Sequence, residues 1–399
     1  MSQEPSIASQ RIGFHTIGFI FILGCLSAFG PLTIDMYLPG LPILTSDLQT
    51  STSFAQLSLT ACLIGLAVGQ IVIGPFSDIK GRKKPLVTSL MIYFVASLLC
   101  VFVQSIWLLI IFRFIQGLSG AAGMVIARAS LRDVFSGAEL TKYFSMLMLV
   151  SGLAPILAPV VGGQLLEVMS WRGVFGVLAS IGFIMFWSVL IGFKETLPIE
   201  KRKSGGIKAV LSTFRELIKD KMFLGFMLIQ SFVMGGLFAY ISGSSFVLQD
   251  MYNLSPQSFS FVFALNGVGL IIATQATGRL AGKVSLHKLL KVGLGMAIIG
   301  SALLLVGAIV VAPVPYISAM LFVTIASVGV INTSVFPLAM ESQGNQAGSA
   351  SALLGLFPFL VGAVVAPIVG IGNAAISMSV VIVIFECLAV VAYVLLAKK

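Results

Sequence analysis

Residues 74–84 read Gly74-Pro-Phe-Ser-Asp78-Ile-Lys-Gly81-Arg82-Lys83-Lys84, a cationic turn between two long stretches without charge, 48–77 and 85–112. Gly74 suits close contact between helices and Gly81 a tight turn. Asp78 is placed to accept hydrogen bonds from an arginine or a neighbouring helix N-terminus. A basic loop that merely sets topology explains the lysines and arginines, but not the spacing Gly-x-x-x-Asp-x-x-Gly-Arg.

The apolar flanks extend through the whole chain. Of 399 residues, 58% are hydrophobic and 10% are charged, and mean hydropathy is +1.08. A soluble domain carries about 25% charge to cover its surface. One bilayer crossing takes about 20 apolar residues, so twelve would use about 240 and leave about 160 for connections. This excludes a soluble enzyme, a nucleic-acid-binding domain and a disordered chain, despite a net charge of +10. Barrel strands would alternate apolar and polar residues over about ten positions, and this chain does not.

Further charge-free stretches run 12–34, 114–127, 143–166, 173–193, 222–249, 251–278, 292–340, 342–385 and 387–397. Breaks are expected near Gln104-Ser105, at Pro313-Val-Pro315 and at Gly370-Ile-Gly-Asn373, which makes twelve spans. With the N-terminus inside, all but two of the 24 Lys and Arg fall on inner segments, the exceptions being Arg172 outside and Arg113 within a span. That asymmetry places both termini in the cytoplasm. No short apolar core with a small-residue cleavage site opens the chain, so the first hydrophobic run reads as a retained helix.

The basic connection at 194–221, with Ser204-Gly-Gly206, separates an expected six-helix bundle over 1–193 from a second over 222–399. Ala158-Pro-Val-Val-Gly162 recurs as Ala366-Pro-Ile-Val-Gly370, an offset of 208, at the fifth span of each half. Such an echo points to duplication, and carriers built from repeats bind substrate between them near the midplane.

Three spans carry polar chemistry. Span four contains Arg113-Phe-Ile-Gln116-Gly117-Leu-Ser-Gly120-Ala-Ala-Gly123. An arginine there costs about 2.5–3.5 kcal/mol on insertion scales, so it marks either function or a structural hydrogen-bond hub. Its glycines let helices approach. Span five, Ser151-Gly152-Leu-Ala-Pro155-Ile-Leu-Ala-Pro159-Val-Val-Gly162-Gly163, is kinked by two prolines. Thr33-Ile-Asp35-Met-Tyr37-Leu-Pro39 closes span one. Asp35 and Arg113 then differ by about 6 Å in depth, which a long arginine side chain bridges if both face one cavity; otherwise Asp35 is interfacial and capped by water. Glu386 is the other embedded carboxylate. Tyr37, Gln116 and Gln230 are the candidates for a substrate cavity.

Cys25, Cys62, Cys100 and Cys387 lie in apolar stretches without paired spacing, and His15 and His287 share no ligand spacing, so neither metal nor cofactor is expected. No Gly-x-x-x-x-Gly-Lys-Ser/Thr occurs, and no loop holds a nucleophile or paired carboxylates; the chain is not read as an enzyme.

The turn at 74–84 resembles the motif between spans two and three of the major facilitator superfamily, which implies an all-α fold of two six-helix bundles related by a pseudo-two-fold axis. In that family the loop, with Gly74, Asp78, Gly81 and Arg82, latches the cytoplasmic side. The second half keeps only Gly278-Arg279-Leu-Ala-Gly282-Lys283 and lacks the aspartate. Arg113-x-x-Gln116-Gly117 resembles a motif linked there to proton transfer. Pro155, Pro159, Gly162 and Gly163 resemble the antiporter motif, with Ala158-Pro159 in place of its Gly-Pro pair. Thr33–Pro39 and Ala127-Arg128-Ala-Ser-Leu-Arg132-Asp133 resemble the bicyclomycin-resistance family of twelve-span drug:proton antiporters. The resemblance implies proton-driven export of small, largely apolar compounds such as antibiotics, coupled through Asp35 and Arg113. It also implies a peripheral span twelve, hence a structural or lipid-edge place for Glu386. The alternative is uptake of a small metabolite. The expected partners are a small-molecule substrate, protons and the lipid bilayer of the cell membrane, with no nucleic acid, for a monomer.

Overall fold

The computed structural model describes residues 14–202, 207–341, 343 and 347–397. Arg11, the Ser204-Gly-Gly206 segment and the last two lysines lie outside the described residues. Among the described residues every regular element is helical, and twelve helices are long and apolar enough to cross a bilayer. Spans one to six are Ile17–Asp47, Thr52–Lys80, Lys83–Phe102, Ile106–Val134, Lys142–Val168 and Trp171–Gly192. Spans seven to twelve are Lys221–Met251, Pro256–Leu280, Leu286–Ile309, Val314–Met340, Ser349–Val369 and Ala374–Ala397.

The boundaries follow local chemistry. Ser51 accepts a hydrogen bond from the Phe54 amide at 3.4 Å, Ser255 from Ser258 at 3.2 Å, and Asp220 from Met222 and Phe223 at 3.0 and 3.3 Å. Each satisfies an orphan donor at a helix start. Span twelve opens in the same way on Asn373, which follows Gly372 at φ 74°. Pro315 sits in the first turn of span ten, where a missing N–H removes no bond.

Span one departs from the expectation that it ends at Pro39. It continues to Asp47 through a break at Ala28, the segment Phe29–Asp35, a tight turn Leu38–Gly40 and a last segment Leu41–Asp47. Pro39 and Pro42 each lie in the first turn of a new segment, so the chain bends at each proline without terminating. Asp35 therefore lies twelve residues from the far end, about 18 Å in a regular helix, and not at an interface.

Spans two and four pack closely. A Cβ at Gly65 or Gly117 would collide with the carbonyl of Phe114 or Cys62 on the facing helix, and one at Gly69 would lie 2.5 Å from the Leu118 carbonyl. Small residues at such spacing let backbones approach. Gly74 does not share this role: a Cβ there would make ordinary contact with Val125 at 3.7 Å.

The two halves meet through span two against eleven and span five against eight. Among the described residues, the side-chain hydrogen bonds joining them lie toward the end opposite the Gly81–Arg82 turn. Ser53 Oγ donates to the Gly370 carbonyl at 2.9 Å, Gln56 Nε2 to Ser242 at 3.0 Å and Thr60 Oγ1 to Ala363 at 3.1 Å. Gln249 reaches the Pro39 carbonyl and Gln257 that of Gly163, both at 3.1 Å. Between the halves, helix Ile207–Lys219 buries Phe214 and Leu217 against a cluster built mainly from the second half.

Candidate functional site

Asp35 ends the Phe29–Asp35 segment, and Pro39 has no N–H to offer its carbonyl. Its side chain is 4% exposed, and Oδ1 has no hydrogen-bond partner. Four residues on, Gln249 of span seven donates to the Pro39 carbonyl at 3.1 Å, so this part of span one lies against the second half. Within that half the Tyr240 hydroxyl accepts from Asn266 Nδ2 of span eight at 2.9 Å.

Arg113 is fully buried and does not pair with Asp35. Its guanidinium carbon lies 4.3 Å from the Tyr37 ring centroid and 5.6 Å from that of Phe175. Nη1 donates to Gln116 Oε1 at 2.5 Å, and Gln116 Nε2 donates to Ser97 at 2.7 Å. Nε and Nη2 have no partner. The expected bridge to Asp35 is not made; Tyr37, in the turn that follows the Phe29–Asp35 segment, lies against the guanidinium instead. The Tyr37 hydroxyl meets Ser58 Oγ at 3.2 Å.

The kinked span five holds this region from both sides. A Cβ at Gly162 would overlap the Met36 carbonyl, next to Asp35; one at Gly163 would press on Ser260 and lie 3.0 Å from the Pro256 carbonyl of span eight. The two glycines let span five pass between span one and the other half. Pro155 and Pro159 stand four apart inside the helix, so the Ser151 and Pro155 carbonyls lose their usual donors.

The cationic turn is a closed network. Arg82, 6% exposed, donates to Asp78 at 2.6 Å, to Ser77 at 2.7 Å and to Asp133 of span four at 2.8 Å. Glu195, just past span six, accepts the Arg82 amide at 2.8 Å, Leu197 at 3.1 Å and Lys83 at 3.2 Å, and lies 3.9 Å from Arg202. Gly81 has φ 87°, and a Cβ there would strike the Glu195 carboxylate. Burial opposes ionisation of Glu195, but the three amides and Arg202 outweigh it and hold its carboxyl below the ordinary range. Burial likewise opposes the charge of Arg82, and the carboxylates of Asp133 and Asp78 overcome it.

A family model described as Major Facilitator Superfamily matches residues 20–367. The chain belongs to the Major Facilitator Superfamily. It is 44% identical over 363 residues to the uncharacterized MFS-type transporter YdgK of Bacillus subtilis, covering 90% of each chain. It is 33% identical to a bicyclomycin resistance protein homolog of Haemophilus influenzae, covering 89% of each. It is 25% identical to the multidrug transporter MdfA of Yersinia pestis, covering 88% of this chain and 86% of the relative. The fold superposes on a D-xylose-proton symporter with a TM-score of 0.74 at 16% identity, covering 96% of this chain and 98% of that one. The protein is thus a multi-pass transporter of this superfamily and not an enzyme.

Within this superfamily frame, several side chains fall elsewhere than their motifs suggest. Gln116 is fully buried and consumed by Arg113 and Ser97, so it offers no free group to a cavity. Gln230 is half-buried, donating to the Leu354 carbonyl of span eleven at 3.3 Å, remote in the chain from the Asp35 cluster. Glu386 does not face lipid: it is 1% exposed and turned onto span seven. Two contributors to the turn network went unassigned in the sequence reading, Glu195 and Asp133. Asp133 lies in the Ala127–Asp133 signature, but no sequence neighbour of Glu195 announces its role.

Proposed function

We propose that this transporter exports small, largely apolar compounds in exchange for protons by alternating access. It would sit in the cytoplasmic membrane with both termini inside, the halves 1–193 and 222–399 moving about the linker 194–221. The observation that supports this reading most is the buried carboxyl of Asp35 at the seam between halves, its Oδ1 without a hydrogen-bond partner. An ionised carboxylate without a partner in an apolar interior costs several kcal/mol, so in this arrangement Asp35 holds a proton. With positive charge inside, the hydrogen bonds of Ser53, Gln56, Thr60, Gln249 and Gln257 close the outer end, leaving the cargo path directed inward.

In this reading Asp35 takes a proton from outside and releases it inside, where the empty site then accepts cargo. Arg113 supplies a fixed positive charge, and Tyr37 ties that charge to span one. Movement of span one therefore changes the field at Asp35. One proton crossing about 100 mV supplies about 2.3 kcal/mol, and a unit of pH about 1.4 kcal/mol. Together they sustain a gradient of roughly several hundredfold for a neutral compound. The halves' relation to resistance proteins favours export.

The test is energised inverted vesicles containing the overexpressed protein, given a panel of antibiotics and dyes such as ethidium. Proton-dependent accumulation supports export. Accumulation of a metabolite only in right-side-out vesicles, with none of the panel moved in inverted ones, identifies an uptake carrier instead.

A further inference from the structure

Glu386 is the one interior carboxylate for which the cycle above has no use. It stands twelve residues past Ala374 and eleven before Ala397, about 17 Å from either end of span twelve in a regular helix. Both oxygens are buried without a hydrogen-bond partner. Span twelve packs against spans seven, nine and eleven. Span seven carries Lys221, Tyr240 and Asp250, and span nine carries His287, Lys288 and Lys291; span eleven has no titratable side chain. None of these interacts with Glu386. Tyr240, the only one near mid-span, is engaged with Asn266.

The seam around this carboxyl is built by glycines of span seven. A Cβ at Gly236 would lie 2.9 Å from Glu386 Oε1. On one side, a Cβ at Gly243 would lie 2.6 Å from Val369 and 3.1 Å from Met378 Cβ; on the other, one at Gly225 would lie 2.7 Å from Leu396. Span seven is therefore closely packed on both sides of Glu386, which is 1% exposed. A carboxylate so enclosed would leave an uncompensated charge, whereas a carboxylic acid does not.

We propose that Glu386 is a second proton site of the carrier, loaded while the seam between spans seven and twelve is closed and emptied when those helices part. On parting, water enters, the carboxyl O–H bond breaks, and the proton passes to that water, leaving the hydrated carboxylate. This deepens the export reading by adding a second carried proton; it rests on that reading for the proton-driven cycle and adds to it a movement within the second half, where spans seven and twelve both lie.

The experiment reads protons alone, in full-length protein reconstituted in liposomes, through the infrared band of protonated carboxyl groups during a pH titration. The D35N protein should retain an interior carboxyl band that bleaches at alkaline pH and is missing from D35N/E386Q. Gln is isosteric with the protonated side chain, so the double variant keeps the seam. A disulfide between G243C and M378C in the D35N background should hold the band at pH values where the reduced protein has lost it. A missing band in D35N, a band that never bleaches, or a band indifferent to the lock overturns the proposal. Failure of the Asp35 reading looks different: D35N then still exports, whatever its spectrum shows.

Discussion

The Arg113 guanidinium lies over the Tyr37 ring, 4.3 Å from its centroid, and makes no salt bridge to Asp35. A buried cation on an aromatic face gains about 0.5–2 kcal/mol, less than full pairing but without fixing Asp35 in its charged form. The arrangement leaves the charge of Arg113 unpaired with the Asp35 carboxyl.

Removing the ring tests that separation. Y37A should lower the thermal midpoint of the purified protein and reduce export, through loss of about 1–2 kcal/mol from the cation–π contact plus the cavity left behind. Y37F keeps the ring and loses only the bond to Ser58, so it should remain close to the parent in a melting scan and in transport.

Arginine and lysine should part company at 113. R113K keeps the charge but loses the planar fork that serves Gln116 and the stack on Tyr37. Export should fall more than about tenfold, the equivalent of about 1.4 kcal/mol, at normal membrane abundance. Full transport in vesicles would reduce Arg113 to a packing residue.

D35N should leave the protein in the membrane and abolish proton-driven accumulation. Fluorescence of a pH dye inside energised inverted vesicles should show no proton movement on adding a transported compound. Retained proton-driven export would remove Asp35 from the mechanism.

Glu195 makes the turn network acid-sensitive, with a definite sign. Its carboxyl is held below the ordinary value of 4.5, so its contribution is present above that value and fades as pH falls through the lowered one. Melting scans from neutral pH down to about pH 3 should show an added loss that E195Q lacks, while E195Q is already less stable at neutral pH.

The glycines divide by what faces them. G65A must displace the Phe114 backbone on span four, and overpacking of that kind costs about 1–3 kcal/mol. G74A meets Val125 at an ordinary distance and should be silent in the same melting and transport assays.

Twelve spans, their breaks and the turn at 74–84 were legible in the sequence because each rests on a local property. Apolar length sets a crossing, prolines and glycines interrupt it, and Gly81 with Arg82 marks a turn wherever the rest of the chain lies. Gly162 and Gly163 were likewise legible as small, but not as the pair on which span one and span eight both rest. Glu195 was not legible, since a carboxylate after a span reads as solvated until its amide donors are known.

What the sequence alone determined is therefore the membrane class, the count of crossings and the identity of the few polar side chains that survive inside them. Which way those side chains turn was decided only in three dimensions. Span one continues past Pro39 because that proline sits where a new helical segment begins, so Asp35 lies twelve residues from the far end of the span and not at its close. The expected pairing of Asp35 with Arg113 gives way to Tyr37 on the guanidinium, a choice made by the packing of neighbouring spans. Of the structural and lipid-edge places expected for Glu386, the structure excludes the lipid edge by turning it to Gly236, for the same reason: only the packing of one span on another chooses the face that is buried.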